Sequence, residues 1–209
     1  TPTPSMRISD KPLTSRVSQP DKTDIEGLSQ PTDLTPQRYK LIRELGSGGM
    51  GVVYEAKDSV LERTVALKIM RKEICARKRD KDRFLKEARI SAKLKHPNIV
   101  TLHDVFEEGG LIYLVFEHVD GKSLDAILDE SVKFPLDQAI TISLSLCDAL
   151  EYAHGVGVVH RDLKPSNVLL EKDRIPRILD FGIARVAQDT LTSMTMDASG
   201  TPAYMSPEQ

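Results

Sequence analysis

The 209-residue sequence contains no tryptophan and only two cysteines, Cys75 and Cys147, which lie far apart. Neither cysteine belongs to a C-x-x-C pair, the spacing that is typical of zinc sites and redox-active dithiols. Two isolated cysteines also give no framework of disulfide bonds, so both thiols are predicted to be free in a reducing compartment. The cysteine content therefore favours a cytoplasmic location.

Long hydrophobic runs and a strong net charge are also missing. No apolar stretch approaches the roughly 20 residues that a transmembrane helix needs, and no signal peptide is visible. The 29 lysines and arginines nearly balance the 31 aspartates and glutamates. One basic stretch, RKEICARKRDKDR, is interpreted as the solvated start of a helix. We therefore expect no nucleic-acid partner and no membrane segment within this chain, and a membrane anchor further downstream stays open.

The sequence that is present changes character along the chain. Residues 1–36 are rich in Pro, Ser, Thr and Asp without a sustained hydrophobic period. Such a segment buries too little apolar surface to offset the entropy of ordering, so a disordered tail is predicted. From Tyr39 to about Met70, alternating and β-branched apolar residues predict three strands joined by short turns.

A helix and two more strands are predicted next. In KDRFLKEARISAKLK, the residues Phe84, Ala88 and Ser91 share one face, and Asp80 is the expected N-cap. The stretches IVTLHDVFEE and LIYLVFEHV predict two strands, with a hairpin turn at the glycine pair between them. From Ser123 onward the pattern is helical, above all in LDQAITISLSLCDALEYAHG, before short apolar runs return. A strand-rich first half thus precedes a helix-led second half.

Three glycines, Gly46, Gly48 and Gly51, lie at G-x-G-x-x-G spacing in ELGSGGMGVVYEAKD. A dinucleotide-binding loop with this spacing opens a helix, whose N-terminus holds the pyrophosphate, but here the loop opens a predicted strand. A Walker-type loop needs a lysine after its last glycine, and none follows Gly51. The remaining interpretation is a flap between two strands, whose backbone N–H groups lie over the phosphates of a nucleotide.

Further motifs follow the glycine loop in order. They are VALK ending at Lys68, Glu87 in the predicted helix, HRDLKPSN from His160, DFG from Asp180, and GTPAYMSPE ending at Glu208. Each motif alone is weak, because a strand-end lysine or a helical glutamate is usually an ordinary solvated residue. Their common order and spacing resemble the protein kinase family, over about residues 39–209, and most of all its bacterial eukaryotic-like Ser/Thr branch.

The resemblance implies an α+β fold with two lobes. A β-rich N-lobe with one main helix would occupy residues 37–118, and a mostly α C-lobe would begin at residue 119. The family's C-lobe continues beyond the SPE motif with several more helices, so residues 119–209 would form an incomplete C-lobe. We therefore expect a fragment of a longer kinase, inactive as a fragment on its own.

The resemblance also implies a protein Ser/Thr kinase that uses ATP and Mg²⁺ and acts on protein substrates. The preference for Ser and Thr over Tyr rests on Lys164 and Thr201. The alternative is a pseudokinase or inactive fragment that serves as a nucleotide- or protein-binding module. Pseudokinases usually lose residues of the Lys68, Asp162 or Asp180 type, and all three are present. A small-molecule kinase is disfavoured because the GTPAYMSPE segment builds a platform for peptides.

By resemblance, the glycine loop covers the phosphates, while the hinge backbone binds the adenine edge behind a bulky gatekeeper, Phe116. Lys68 matches the lysine that contacts the α- and β-phosphates, and Glu87 matches the helix glutamate that pairs with it. The residues assigned to nucleotide binding are Gly46, Ser47, Gly48, Gly49, Met50, Gly51, Val53, Ala66, Lys68, Glu117, Val119, Asn167 and Asp180.

The catalytic residues implied by the resemblance are Lys68, Glu87, Asp162 and Lys164. Asp162 would orient the substrate hydroxyl and accept its proton, and Lys164 would neutralise the γ-phosphate. Asn167 and Asp180 match the Mg²⁺ ligands, and their oxygen atoms suit a hard cation.

Regulation is expected at Arg161, because an arginine beside the catalytic aspartate typically pairs with a phosphorylated activation segment. The register against Gly200 and Thr201 favours Ser193 and Thr195 as autophosphorylation sites. A second copy of the chain is a possible partner for this reaction in trans. The open alternative is that a flexible loop is simply rich in Ser and Thr.

Overall fold

The structure is a computed structural model that describes residues 37–130, 133–172, 174–181 and 204. The predicted disordered tail, residues 1–36, lies outside the described residues. The predicted phosphorylation sites Ser193 and Thr195 also lie outside them, as does most of the segment that follows Phe181.

The first half of the described chain is an antiparallel sheet of five strands. They are β1 (Tyr39–Gly48), β2 (Gly51–Asp58), β3 (Arg63–Met70), β4 (Leu102–Glu108) and β5 (Leu111–Glu117), in the order β1-β2-β3-β5-β4. The three predicted strands between residues 39 and 70 are thereby confirmed, as is the hairpin of the next two. Both glycines of its turn, Gly109 and Gly110, have positive φ angles, which is the conformation that such a tight turn demands.

Two helices connect β3 to β4, a short α1 (Lys72–Ala76) and a longer α2 (Lys78–Ser91). The buried residues of α2 are the predicted face, Phe84, Ala88 and Ser91. The expectation that Asp80 caps this helix was wrong. Asp80 lies within the first turn, where its charge still favours the positive end of the helix dipole, and the N-cap position belongs to Arg77.

The second half contains β6 (Gly121–Ser123), α3 (Leu124–Asp129), α4 (Leu136–Gly155), a 3-10 turn (Pro165–Asn167), β7 (Val168–Glu171) and β8 (Pro176–Ile178). Strands β6, β7 and β8 form a separate small sheet in that order. Helix α4 has the bounds that its hydrophobic pattern predicted. None of the helices in the described ranges is both long enough and apolar enough to cross a membrane.

The five-stranded sheet has a buried cluster on each face, and β5 is an unbroken apolar run because it contributes to both. Alternate residues Ile112, Leu114 and Phe116 pack with Phe84 and Ala88 of α2. The other set, Leu111, Tyr113 and Val115, packs with Tyr39, Val65 and Leu67 on the opposite face. Side chains alternate between the faces of a strand, so β5 serves two clusters and anchors the sheet.

A third buried cluster lies between α4 and the small sheet. Its members are Leu94, Ile99, Ala149, Ala153, Val158, Ile178 and Phe181. The chain between α2 and β4 also bonds directly to β8, because Val100 N donates to Ile178 O at 2.9 Å and Ile178 N donates to Asn98 O at 2.8 Å. Both halves of the chain are thereby joined next to Asp180. A bilobal fold with a β-rich first lobe and a partial second lobe, as the sequence predicted, is confirmed.

Candidate active site

The glycine-rich loop joins β1 to β2 as a hairpin, with Gly48 paired to Gly51. The loop opens a strand, so the dinucleotide-binding alternative does not apply. A methyl group added to Gly46, Gly48 or Gly49 would meet no atom within 4 Å, whereas one added to Gly51 would lie 2.1 Å from the carbonyl oxygen of Ile69 in β3. Among these four positions, packing therefore requires glycine only at Gly51. The three preceding glycines leave an open strip of backbone that an external group can approach.

Lys68 lies in β3, paired with Val53 of β2 on one side and with Leu114 of β5 on the other. Its side chain is only 10% exposed, and its Nζ lies 2.5 Å from Asp180 Oδ2. A lysine that is buried among apolar strands needs such a partner, because an unpaired buried charge is costly. The two residues are 112 positions apart in sequence, and the fold brings them together at the junction of the halves.

The expected partner of Lys68 was Glu87, which is half-buried on α2. Within the described part of the chain, no ion pair joins Lys68 to Glu87, and the lysine contacts Asp180 instead. The Lys68–Glu87 pair stays a prediction for another state of the site. In such a state, Lys68 would contact both Glu87 and Asp180, or it would contact Glu87 after its ion pair with Asp180 had broken.

A second group of charged side chains lies in the segment after α4. Lys164 Nζ lies 3.0 Å from Asp162 Oδ2, and both side chains are largely buried, at 20% and 11% exposure. The Asn167 amide nitrogen donates to the backbone oxygen of Asp162 at 2.7 Å and to its Oδ2 at 3.2 Å. These contacts fix the Asp162 carboxylate from two sides, and its second oxygen, Oδ1, receives neither of them.

Asn167 also connects the Asp162–Lys164 pair to the Lys68–Asp180 pair, because its backbone oxygen accepts a hydrogen bond from Leu179 N at 2.9 Å. Leu179 directly precedes Asp180. The residues predicted for catalysis and those predicted for cation binding are thus joined through one short stretch of backbone. The exception is Glu87, for which the described residues show no ion pair with the group.

Two non-glycine residues of this region adopt left-handed backbone angles, Arg161 with φ 68° and Asp180 with φ 57°. Such angles cost of order 1 to 3 kcal/mol and persist only where the surroundings enforce them. At Asp180 the constraint comes from its neighbours, since Leu179 is hydrogen-bonded to Asn167 and Phe181 is buried in the third cluster. Both strained residues lie beside the predicted catalytic groups.

His160 connects the Asp162 segment to the Asp180 segment through two hydrogen bonds. Its Nε2 donates to the carbonyl oxygen of Leu179 at 2.8 Å, while its Nδ1 accepts from Asp162 N at 3.3 Å. These two bonds require the neutral ring with the proton on Nε2. Burial lowers the pKa of His160 below its ordinary value, while the hydrogen bond to Leu179 O and then the nearby carboxylates oppose this effect. The neutral form is thereby favoured, and it connects the Asp162 and Asp180 segments.

An apolar patch lies between β3 and the hinge segment, which we define as residues 117–119. The half-buried side chains of Met50, Ala66, Val119 and Leu179 pack against the same cluster as Phe116. These residues come from the glycine loop, β3, the hinge and the stretch before Asp180. A flat aromatic ring would find apolar contacts there, with the hinge backbone at its edge.

The oxygen ligands present fit a hard divalent cation. The Asn167 amide nitrogen is already used towards Asp162, which leaves its carbonyl oxygen for another partner. Asp180 contributes a carboxylate of which one oxygen pairs with Lys68. No cluster of three or more His, Cys, Asp or Glu side chains is found among the described residues. One carboxylate and one amide are an incomplete set, which suits Mg²⁺ because that ion keeps waters and binds substrate phosphates.

One structural feature near the site was missed at the sequence level. Arg177, three residues before Asp180, pairs with Glu117 of the hinge and with Glu171 of β7. The only sequence signal is a cation inside the otherwise apolar stretch IPRIL, residues 175–179. Arg161 is exposed and takes part in interactions of its own, while its predicted partners Ser193 and Thr195 lie outside the described residues.

Comparison with known proteins identifies the family of this chain. The family model of the protein kinase domain matches residues 39–209. A probable serine/threonine-protein kinase of Clostridium acetobutylicum is 37% identical over 172 residues, which cover 82% of this chain and 26% of that protein. The serine/threonine-protein kinase PknB of Mycolicibacterium smegmatis is 40% identical, over 84% of this chain and 30% of its own length.

A solved structure shows the same fold. The crystal structure of the PknI kinase domain of Mycobacterium tuberculosis matches with a TM-score of 0.65 and 31% identity, over 74% of this chain and 64% of that one. The present chain spans less than a third of the length of the two curated relatives named above.

Proposed function

The chain belongs to the protein kinase domain family, and from this premise we propose that it carries the catalytic centre of a protein Ser/Thr kinase. The reaction is transfer of the γ-phosphate of ATP to Ser or Thr hydroxyls of protein substrates. One observation carries the proposal. Lys68 with Asp180, and Asp162 with Lys164, form two ion pairs that are linked through Asn167.

Phosphoryl transfer asks the protein mainly for positioning and for neutralisation of charge. Lys68 provides a buried cation beneath the glycine loop for the α- and β-phosphates. Asp162 orients the substrate hydroxyl and accepts its proton, and its contacts with Lys164 and Asn167 hold it in place. Lys164 then lies where the γ-phosphate arrives, beside the attacking hydroxyl.

Asn167 and Asp180 are the residues that would hold Mg²⁺, the cation of this family. When bound, Mg²⁺ neutralises the charge of the phosphates. The adenine ring fits the apolar patch of Ala66, Val119 and Leu179, with the hinge backbone at Glu117 and Val119 available for its polar edge. Val53, which pairs with Lys68 across β2 and β3, completes this nucleotide site.

The relatives favour Ser and Thr as acceptors, since the similar proteins are named serine/threonine-protein kinases. We further propose that Arg161 binds a phosphorylated activation segment, with Ser193 and Thr195 as its sites, and that a second copy of the chain delivers the phosphate. A cytoplasmic location completes the proposal, because ATP and protein substrates of this kind are found there.

Substitution of the general base tests the catalytic proposal against the pseudokinase alternative. The Asp162→Asn variant of the full-length protein keeps the shape of the side chain but removes its charge. We expect the rate of phosphate transfer from labelled ATP to fall by about 100-fold or more, the usual contribution of a general base. Nucleotide binding, followed by ADP titration, should change little.

Asp125→Asn is the matched control, because Asp125 is a partly exposed carboxylate in the first turn of α3, where it accepts a hydrogen bond from Ala126 N. It should transfer phosphate at the wild-type rate. Equal rates for the Asp162→Asn and wild-type proteins would overturn the catalytic assignment. Nucleotide binding without any transfer by the wild type would favour the pseudokinase.

A further inference from the structure

Arg177 of β8 connects the hinge segment to the small sheet of the second half. Its Nη2 lies 2.5 Å from Glu117 Oε2, and its Nη1 lies 3.2 Å from Glu171 Oε1 of β7. The arginine side chain is only 14% exposed, whereas the two carboxylates are about one-third exposed. A planar guanidinium can bridge two carboxylates in fixed directions, which a lysine ammonium cannot do. Arg177 therefore sets the distance and angle between β5 and the β7–β8 hairpin.

The same carboxylate of Glu117 is held from a second direction. Thr101 N donates to Glu117 Oε2 at 3.3 Å, while the Glu117 amide donates to Thr101 O at 2.9 Å. The stretch 98–100 that precedes Thr101 is itself hydrogen-bonded to β8, through Asn98, Val100 and Ile178. The hinge, this stretch and β8 thus form a closed triangle of contacts, in which the Arg177 side chain links the hinge directly to β8.

The position of Arg177 is not explained by stability alone. Its Nε is buried without a hydrogen-bond partner in the described part of the chain, and such a group costs free energy. An apolar residue would avoid this cost between the buried neighbours Pro176 and Ile178. Of its two charged contacts, one is Glu117 at the start of the hinge and the other is Glu171 of β7. Arg177 itself lies three residues before Asp180.

We infer that Arg177 is a positioning residue for nucleotide binding, acting through Glu117. This inference rests on the proposed function, because it concerns the hinge backbone to which adenine would bind. Arg177 holds the Glu117 carboxylate on the side of Thr101 and β8, and this fixes the backbone of residues 117–119 before the nucleotide arrives. A hinge that is ordered in advance loses less entropy on binding, so nucleotide affinity is higher.

The Arg177→Gln variant of the full-length protein tests this inference by steady-state kinetics. The KM for ATP should rise about fivefold or more, the lower range of coupling between linked sites, while kcat stays within about twofold. Arg177→Lys should give an intermediate KM, because one charge remains without the two-pronged geometry. Combining Arg177→Gln with Glu117→Gln should raise KM little beyond either single change, because both remove the same contact.

Lys172→Gln is the matched control. Lys172 belongs to the same hairpin and pairs with Asp120, next to the hinge, but this ion pair is 81% and 75% exposed. Exposed pairs contribute little, so the KM for ATP should remain at the wild-type value. An unchanged KM in Arg177→Gln, or a loss confined to kcat, would overturn the inference. A lower melting temperature with unchanged KM would assign Arg177 a purely structural role.

Hydrogen exchange separates this inference from the proposed function. The Glu117 amide is bonded to Thr101 O, and Arg177→Gln should speed its exchange in the nucleotide-free protein, whereas Lys172→Gln should not. Unchanged protection in Arg177→Gln contradicts the positioning role whether or not phosphate is transferred. A wild-type protein with Arg177-dependent protection but no transfer contradicts only the proposed activity.

Discussion

At the scale of single residues, the most extensively bonded carboxylate among the described residues lies outside the site. Asp58, at the end of β2, is fully buried and accepts two hydrogen bonds from Arg38 and two from the backbone of Val60 and Leu61. The Arg38 guanidinium is the main cause that holds the pKa of this carboxyl at about 2, with burial opposing the effect. Asp58 therefore fixes the turn into β3, the strand that carries Lys68.

This pKa predicts how stability depends on pH. An aspartate with a depressed pKa stabilises the fold above its unfolded pKa, and this contribution is lost as pH falls through the folded value. As the pH falls from about 4 to 2, protonation of Asp58 should lower the free energy of unfolding by on the order of 1 to 2 kcal/mol. This range is reduced for solvent screening, because Arg38 is partly exposed. Urea denaturation at several pH values measures this decrease.

The Asp58→Asn variant should unfold more easily at pH 7, by about 1 to 3 kcal/mol, because the amide nitrogen that replaces Oδ2 removes the acceptor of Arg38 Nη2. Its stability should also fall less than that of the wild type in the acid range. Asp104→Asn is the control, since Asp104 lies 4.0 Å from the same arginine and is half exposed. Equal effects of the two substitutions would contradict this account.

His160 gives a second pH dependence of stability, and here the group is a base whose charged form is disfavoured in the folded chain. Burial lowers the pKa of its ring, so the unfolded chain binds a proton that the folded chain does not. Stability should consequently fall as pH drops below about 6.5, the ordinary pKa of histidine. His160→Gln should reduce this dependence in the range of about pH 6.5 to 5, and an unchanged slope in that range would show that His160 is not its source.

At the scale of elements, glycine has two separate uses in the loop between β1 and β2. Gly51→Ala brings its methyl group 2.1 Å from the Ile69 carbonyl oxygen of β3, so β2 and β3 must move apart. We expect a loss of about 1 to 3 kcal/mol in the free energy of unfolding, the usual range for a disrupted backbone contact. Guanidinium denaturation measures it.

Gly49→Ala is the matched control, because its methyl group would meet no atom within 4 Å. Its stability should stay within about 0.5 kcal/mol of the wild type, and any effect should appear in nucleotide affinity. If Gly49→Ala destabilised the protein as much as Gly51→Ala, the packing explanation for Gly51 would fail.

The elements with regular patterns were the ones that the sequence could predict. Strands β1 to β5 alternate or consist of β-branched runs, and α4 has a 20-residue pattern that ends at glycine. Strand β6 has no such pattern, because it exists only through pairing with β7. A methyl group at Gly121 would lie 2.4 Å from Leu170 O, so β6 depends on a close approach that one segment alone does not reveal.

At the scale of the whole molecule, motifs predicted the members of the site but not all of their contacts. Lys68, Asp162, Asn167 and Asp180 were predicted by resemblance, and the fold brings them together. The ion pair of Lys68 with Asp180 was not predicted, because it depends on how the two halves of the chain meet. Arg177 was missed for the same reason, since its partners lie on β5 and β7.

The central claim is that this junction transfers phosphate to Ser and Thr, and the acceptor residues themselves provide the most direct test. The full-length protein is incubated with ATP labelled at the γ-phosphate and a protein substrate, and the phosphorylated amino acids are identified after hydrolysis. The account predicts labelled phosphoserine and phosphothreonine with the wild type and almost none with Asp180→Asn, which lacks the carboxylate that faces Lys68. Label on tyrosine alone, or equal labelling by the two proteins, would contradict it.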